Sequence, residues 1–208
     1  MKKTFAVLAF VAALFISSNV QAQMSVNLGY APETFKTTVG NTTSTAEYQG
    51  FFAGLTYNLP VSGNLGVATG AQFRMNMRNT QETLVVTTKQ QRTQALIDIP
   101  VLLNYGIAVN RDLTVTPFVG PMLSIACYGN TKTTVTIPNL TTTETNADWY
   151  DDNSNNSRFN LNAVFGASLG YADFKLFGGY RLGLLDVDNS DNTKVQTSGF
   201  FVGVGMGF

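Results

Sequence analysis

Along most of this chain, large apolar side chains alternate with small or polar ones. In the run LGVATGAQFRMNMR, one set of alternate positions is Leu65, Val67, Thr69, Ala71, Phe73, Met75 and Met77, and the other is Gly66, Ala68, Gly70, Gln72, Arg74, Asn76 and Arg78. A period of two residues places the two sets on opposite faces of a β-strand. Because helical periodicity is almost absent after residue 22, the chain is predicted to be all-β.

The same alternation predicts eight strands. They cover residues 24–35, 48–59, 65–78, 94–106, 113–128, 159–171, 174–185 and 198–208. Pro117 and Pro121 lie inside the fifth range, and its phase is the hardest to assign. Proline lacks the N–H that a ladder needs, so we expect a bulge or local distortion there.

The connections between the predicted strands alternate in length. Those after strands two, four and six are short, and those after strands one, three, five and seven are longer and polar. This pattern predicts an eight-stranded antiparallel up-and-down transmembrane β-barrel with short periplasmic turns and long extracellular loops. Threonine-rich alternation at residues 83–88 and 133–137 suggests that strands three to six extend beyond the membrane before they turn.

A soluble eight-stranded barrel is the competing architecture, with an apolar interior and a mostly polar exterior. Here the strand charges fall on the face that is rich in glycine, asparagine and serine: Arg74, Arg78, Asp98, Lys175 and Arg181. The opposite face of each strand is apolar. This distribution favours lipid outside and a polar interior, in a sheet that must close because hydrocarbon offers its backbone no hydrogen bonds.

The first 22 residues have the layout of a secretory signal peptide. Lys2 and Lys3 precede an apolar run at residues 5–16, and a small-residue site ends at Ala22. The apolar run is shorter than the roughly 20 residues that a membrane-spanning helix needs. We therefore expect residues 1–22 to be removed and residues 23–208 to form one β-barrel domain in the outer membrane of a Gram-negative cell.

The composition argues against several kinds of chemistry. The chain has no histidine, which excludes Ser-His-Asp and Cys-His catalysis and histidine-bearing zinc sites. Asp98 is the only acid that the prediction places inside a strand, so we expect no enzyme, no cofactor and no metal site. Only 12% of the residues are charged and no basic face is evident, which argues against nucleic acid. The single cysteine, Cys127, is expected to be packed.

Three loop features leave alternatives open. The acidic runs at residues 151–156 and 186–192 could suggest calcium, but the first lacks the glycine and glutamate of a calcium loop, and such runs are usually solvated. Trp149 and Tyr150, in the longest loop, are equally consistent with an adhesive tip and with packing of the loop itself.

Several motifs resemble those of small outer-membrane β-barrel proteins of the PorT-like and OmpX/OmpA-like group, in the porin family. The matching stretches are LIDIPVLLNYGI, TPFVGPMLSIA and GGYRLGLLDVD, together with the terminal aromatic Phe208. The resemblance implies the barrel fold across most of residues 24–208 and implies that Phe208 is a signal read by the barrel-assembly machinery. Members of the group are variously adhesins, surface-stability proteins and secretion accessories, so the barrel alone does not select a function.

Three functions are compatible with the sequence. The preferred one is a barrel with a filled polar lumen that acts through its extracellular loops. The alternatives are a narrow pore, suggested by the many inward glycines, and an accessory of a secretion or assembly system. Membrane lipid and the assembly machinery are the expected partners, and surface or secretion partners cannot be named.

Two structural sets follow from strand parity and depth. An aromatic girdle is predicted on the outer face near the short turns, and its members are Tyr57, Tyr105, Tyr171, Phe174 and Phe208. A charge cluster is predicted inside the lumen, with Asp98 bridging Arg74 on the adjacent strand and reaching across the barrel toward Arg181.

Overall fold

A computed structural model describes residues 23–83, 87–137, 142–151, 154–188, 190 and 192–208, and the predicted signal peptide lies outside them. The described residues form one sheet of 11 strands. The strands are β1 (Gln23–Tyr30), β2 (Glu33–Val39), β3 (Thr42–Ser62), β4 (Leu65–Thr83), β5 (Thr87–Tyr105), β6 (Ile107–Ala108), β7 (Leu113–Thr136), β8 (Thr142–Asp148), β9 (Phe159–Tyr171), β10 (Phe174–Gly183) and β11 (Thr193–Gly207). Within these ranges no helix is long and apolar enough to cross a membrane.

The sheet closes on itself as an antiparallel barrel. β1 pairs with β3 on one side and with β11 on the other, and β2 has the same two neighbours. β1 and β2 therefore act as one strand interrupted at residues 31–32, while β6 continues β5 along β7. The barrel has eight strand positions in up-and-down order, which confirms the predicted fold class.

The last residues are bonded to the rim of the barrel. The Gly207 amide donates to the Asp173 carbonyl at 2.7 Å, and the Phe208 amide donates to the Met24 carbonyl at 3.0 Å. These bonds join the last strand to the turn before β10 and to the start of β1. The seam of the barrel is thus hydrogen-bonded through its final residue.

The two faces of the wall follow the predicted parity. Leu28, Phe73 and Leu103 are 57%, 50% and 48% exposed on the outside, where lipid would cover them. Inward side chains such as Asn27 and Asn162 are almost completely buried. Since the outward positions are large and apolar and the charged strand residues point inward, the arrangement is that of a membrane barrel.

The prolines of the fifth predicted strand do not produce a bulge, but the ladder with β5 is interrupted beside Pro121, so the expected local distortion is present there. Pro117 and Pro121 both lie in an unbroken β7–β9 register, opposite Ala167 and Ala163. The β5–β7 pairing does skip the residues between Pro100 and Leu103, and its register shift lies farther along, where Ala95 pairs with Tyr128 and Leu96 with Ala126. Cys127 is the extra residue at that shift. It is exposed, so the expectation that it would be packed was wrong.

Three strands are much longer than the alternation of large apolar residues indicated. β4 continues to Thr83, and β5 begins as early as Thr87. β7 continues to Thr136, and β8 pairs with this last part of it. The extension suggested by the threonine-rich segments is confirmed for these strands. In the sixth strand position the extension is formed by β8, which pairs with β7 beyond the end of the β7–β9 ladder, while β9 itself begins at Phe159.

The predicted girdle residues lie near the short-turn end of the barrel, where Phe174 and Phe208 also border the opening of the lumen. Tyr105, Tyr171, Phe174 and Phe208 are strongly exposed, and Tyr57 is half-buried. Aromatic rings prefer the headgroup boundary of a bilayer. Anchoring of the barrel at this level stays a prediction.

Deletion of Phe208 should strongly reduce assembly, because it removes both the last ladder contact and the aromatic that the family resemblance identifies as an assembly signal. The yield of heat-modifiable, membrane-inserted barrel measures this effect. Phe174→Ala is the matched control, since Phe174 and Phe208 are 64% and 65% exposed at the same rim. Equal yields of the two variants would contradict the prediction.

Inward glycines make room for rings rather than for a channel. A Cβ on Gly203 would lie 2.6 Å from the Phe177 ring, and one on Gly166 would lie 2.7 Å from the Phe118 ring. The phenyl groups occupy the space that missing side chains leave along the wall. At these two positions the absence of a side chain is therefore explained by packing.

Candidate functional site

The centre of the lumen holds a buried cluster of charges around Arg74. Its Nε donates to Asp98 Oδ2 at 2.7 Å and its Nη2 donates to Asp98 Oδ1 at 3.2 Å, a two-pronged contact with the neighbouring strand. Its Nη1 donates to Glu33 Oε2 at 2.6 Å. Paired guanidinium–carboxylate bonds of this kind are among the strongest side-chain hydrogen bonds. The predicted contact of Asp98 with Arg74 is present.

Arg181 lies in the same cluster but has a different partner from the one predicted. Its Nη2 is 3.7 Å from Glu33 Oε1, and no ion pair joins it to Asp98 among the residues that the structure describes. Its Nε and Nη2 are buried without a hydrogen-bond partner. Arg74 and Ser124 occupy the carboxylate of Asp98, so Arg181 acts on Asp98 as a neighbouring charge and not through a hydrogen bond or ion pair.

Glu33 is the member of the cluster that the sequence interpretation missed. It is 3% exposed and accepts bonds from Arg74 and from Asn76. The signal was available, because outward Leu28 and Tyr30 assign odd positions of the first strand to the lumen. Pro32 obscured it by interrupting the ladder between β1 and β2. The predicted first strand, residues 24–35, already included Glu33, so the statement that Asp98 is the only acid inside a strand was wrong.

Uncharged polar side chains complete a layer across the barrel, here called the charged layer. Besides Glu33, Arg74, Asp98 and Arg181 it contains Asn76, Gln94, Ser124 and Asn162. Ser124 Oγ donates to Asp98 Oδ1 at 2.6 Å, and Asn162 Nδ2 donates to Ser124 Oγ at 2.9 Å. Buried charges are tolerable only when paired and hydrogen-bonded, and these neighbours contribute to that requirement for Asp98.

The charged layer separates two cavities. The lower cavity, of about 500 Å³, extends from Arg74, Asp98 and Arg181 to the rim formed by the short turns. The upper cavity, of about 340 Å³, extends from Glu33 and Arg74 to the long-loop end. Arg74 lines both cavities, so the lumen is hollow on either side of the charged layer. Closure of the lumen at this layer stays a prediction.

The long loop after β8 folds back over the upper cavity. Trp149 Nε1 donates to Thr131 Oγ1 at 2.7 Å, and its ring contacts Tyr48 edge to face. The Tyr150 hydroxyl accepts from Gln94 Nε2 at 2.8 Å, and burial raises the pKa of this hydroxyl. Of the two alternatives for Trp149 and Tyr150, the structure shows packing of the loop onto the barrel.

The acidic runs form turns in the part of them that the structure describes. Asp186 Oδ1 accepts from the amides of Asp188 and Val195, and Asp188 Oδ1 accepts from the amide of Ser190. Among the described residues, no group of acids or cysteines is arranged to hold a metal ion. The carboxylates of Asp186 and Asp188 therefore accept hydrogen bonds from backbone amides of the same segment.

A family model describes most of the chain. Residues 15–189 match the model "Outer membrane protein beta-barrel domain". The chain belongs to this family. Its location is accordingly the bacterial outer membrane, with the polar cluster enclosed by a wall that faces lipid.

Solved outer-membrane proteins resemble the chain at low sequence identity. Ail of Yersinia pestis, in complex with the heparin analogue sucrose octasulfate, is 13% identical with a TM-score of 0.44, over 90% of this chain and 99% of that one. Neisserial surface protein A is 15% identical with a TM-score of 0.37, over 88% and 97%. The outer membrane protease OmpT of Escherichia coli is 11% identical with a TM-score of 0.40, over 93% and 99%. No curated protein matches the chain.

Proposed function

We propose that this protein is a non-enzymatic, non-conducting barrel that displays a rigid β-sheet outside the cell for interaction with other proteins. The observation that carries the proposal is the length of β4, β5, β7 and β8. Beyond the apolar band they form a sheet in which residues 79–83, 87–91, 132–136 and 142–146 pair in succession. A long extension costs conformational entropy to order, which argues for a use outside the membrane.

The outer edge of this sheet is open. Among the described residues β8 pairs only with β7, and all seven of its residues are exposed. An edge strand presents unpaired N–H and C=O groups that an extended segment of another protein can complete. Glu144 pairs with Lys132 on β7 at 3.0 Å, so this acidic side chain is partly neutralised beside the edge. The edge is polar and soluble, and it remains able to accept a strand.

The lumen supports the non-enzymatic part of the proposal. Its two buried carboxylates, Glu33 and Asp98, are both engaged by Arg74. A general base must lie within reach of a nucleophile, and a carboxylate that is tied to a guanidinium is a weak base. The sequence has no histidine to replace them.

Shortening the β7–β8 hairpin should abolish the interaction while leaving the barrel intact. The variant replaces residues 134–144 with Asn-Gly, which keeps the pairing of Thr133 with Thr145 and the packing of Trp149. The measurement is adhesion of expressing cells to immobilised serum and matrix proteins, normalised to surface level. We expect adhesion to fall about tenfold or more, since the docking edge is removed.

A second shortened hairpin is the matched control. Replacing residues 38–43 with Asn-Gly keeps the pairing of Thr37 with Ser44 at the end of the β2–β3 hairpin and should leave adhesion unchanged. Adhesion no higher than that of cells without the protein, or an equal loss with both shortened hairpins, would overturn the proposal.

A further inference from the structure

The lower cavity combines an aromatic wall with a polar floor. Phe52, Phe118, Phe177 and Phe201 all line it. The Phe118 and Phe201 rings are stacked at 6.3 Å, and Phe177 lies 6.5 Å from Phe201 and 6.0 Å from Phe52. These four rings form a continuous apolar surface below the charged layer. A wall of this kind attracts hydrocarbon or ring-containing groups from water.

Lys175 is the inward cation of this cavity that lacks an acidic partner. It is half-buried, its Nζ lies 3.4 Å from Thr56 Oγ1, and the same atom lies 5.7 Å from the centre of the Phe177 ring. It forms no ion pair within the described part of the chain. Arg74, by contrast, binds two carboxylates. An ammonium group that is partly removed from water and forms no ion pair is unfavourable, and a bound anion would offset that cost.

We propose that the lower cavity binds a small amphiphile that carries one carboxylate. The carboxylate meets Lys175 Nζ beside the Thr56 hydroxyl, and the hydrocarbon part lies against the phenylalanine rings. The volume, about 500 Å³, lies within the range of roughly 300–1,000 Å³ that is typical of small-molecule pockets. The charged layer closes the inner end, so the ligand is held there and does not pass through. This inference is independent of the role proposed for β8.

The charges near the mouth limit the ligand to a single negative charge. Asp112 and Asp173 line the same cavity near the short-turn rim. Their carboxylates repel a multiply charged anion that approaches Lys175. The repulsion of a monoanion is weaker, because it scales with the charge of the ligand. A simple fatty carboxylate satisfies both the single charge and the apolar wall.

Octanoate binding to the full-length barrel in lipid nanodiscs tests the proposal. Octanamide and octylammonium have the same chain with a neutral or a positive head, so partition into lipid is separated from recognition of charge. We expect the protein to bind octanoate about tenfold more tightly than octanamide, the ratio that one charge-assisted contact produces. Octylammonium should bind more weakly than either.

Lys175→Gln should remove the preference for octanoate over octanamide, and Lys175→Arg should retain it. Lys194→Gln is the matched control, because Lys194 is exposed on β11 and does not line the cavity. Heat-modifiable mobility checks that each variant is folded. Equal binding of the three probes by the unmodified protein, or an undiminished octanoate preference in Lys175→Gln, would overturn the proposal.

Discussion

Arg74→Ala is expected to destabilise the barrel by about 3–5 kcal/mol, the cost of leaving a buried charge without its partner. Glu33 and Asp98 each lose their shortest ionic contact, at 2.6 and 2.7 Å. Arg181 stays 3.7 Å from Glu33, so Glu33 keeps a positive partner. Asp98 is left without an ion pair and should be destabilised more. Equilibrium unfolding in urea and lipid vesicles, followed by tryptophan fluorescence, measures the difference.

The companion variants separate charge from packing. Asp98→Asn keeps the shape and most hydrogen bonds and should cost less than Asp98→Ala. The triple change of Glu33, Arg74 and Asp98 to alanine removes one positive and two negative charges together, so it should destabilise less than the Arg74→Ala and Asp98→Ala effects added together. A fully additive result would show that the charges act independently and would contradict the cluster.

The wall of the barrel was predictable because the bilayer restricts which residues each face of a strand can carry. Every strand must be paired, and its two faces meet lipid and a polar lumen, so alternation at positions such as Phe73 and Arg74 specifies both strand and orientation. The contact between Arg74 and Asp98 followed from parity and depth alone. Glu33 lies inside the predicted range 24–35 and was overlooked, because the alternation was followed only as far as Tyr30, before Pro32 interrupts the ladder.

Features that depend on distant contacts were not predictable. Gly203 makes room for Phe52 and Phe177, which come from β3 and β10, and no local pattern tells such a glycine from one that lines a pore. β8 is polar on both faces, so alternation of hydrophobicity gives it no signal. The sequence alone did not show that Pro117 and Pro121 pair in register with β9, because this depends on which strand lies beside them.

Removal of the charged layer should convert a closed barrel into a channel. Arg74 lines both cavities, so the triple alanine variant of Glu33, Arg74 and Asp98 joins the lower cavity to the upper one. Eight-stranded barrels are just wide enough for side chains to fill, so the opening depends on which side chains are present. We expect small but discrete conductance steps from the triple variant in planar lipid bilayers.

The matched control removes charge from the wall without opening the layer. Lys194→Gln changes one exposed charge on β11 and leaves the charged layer as it is, so it should behave as the unmodified protein does. Conductance of equal size in the triple variant and in this control would show that ions take a route that does not cross the charged layer.

Conductance of the unmodified protein in planar bilayers tests the central claim most directly, that a paired charged layer closes the lumen and leaves function to the surface outside. The preparation must be pure, folded and heat-modifiable, so that a lack of conductance cannot be attributed to a lack of inserted barrels. We expect no discrete steps at any applied voltage that the bilayer tolerates. Stable, reproducible channels from the unmodified barrel would contradict this claim, because ions would then cross a layer in which Arg74 is hydrogen-bonded to both Glu33 and Asp98.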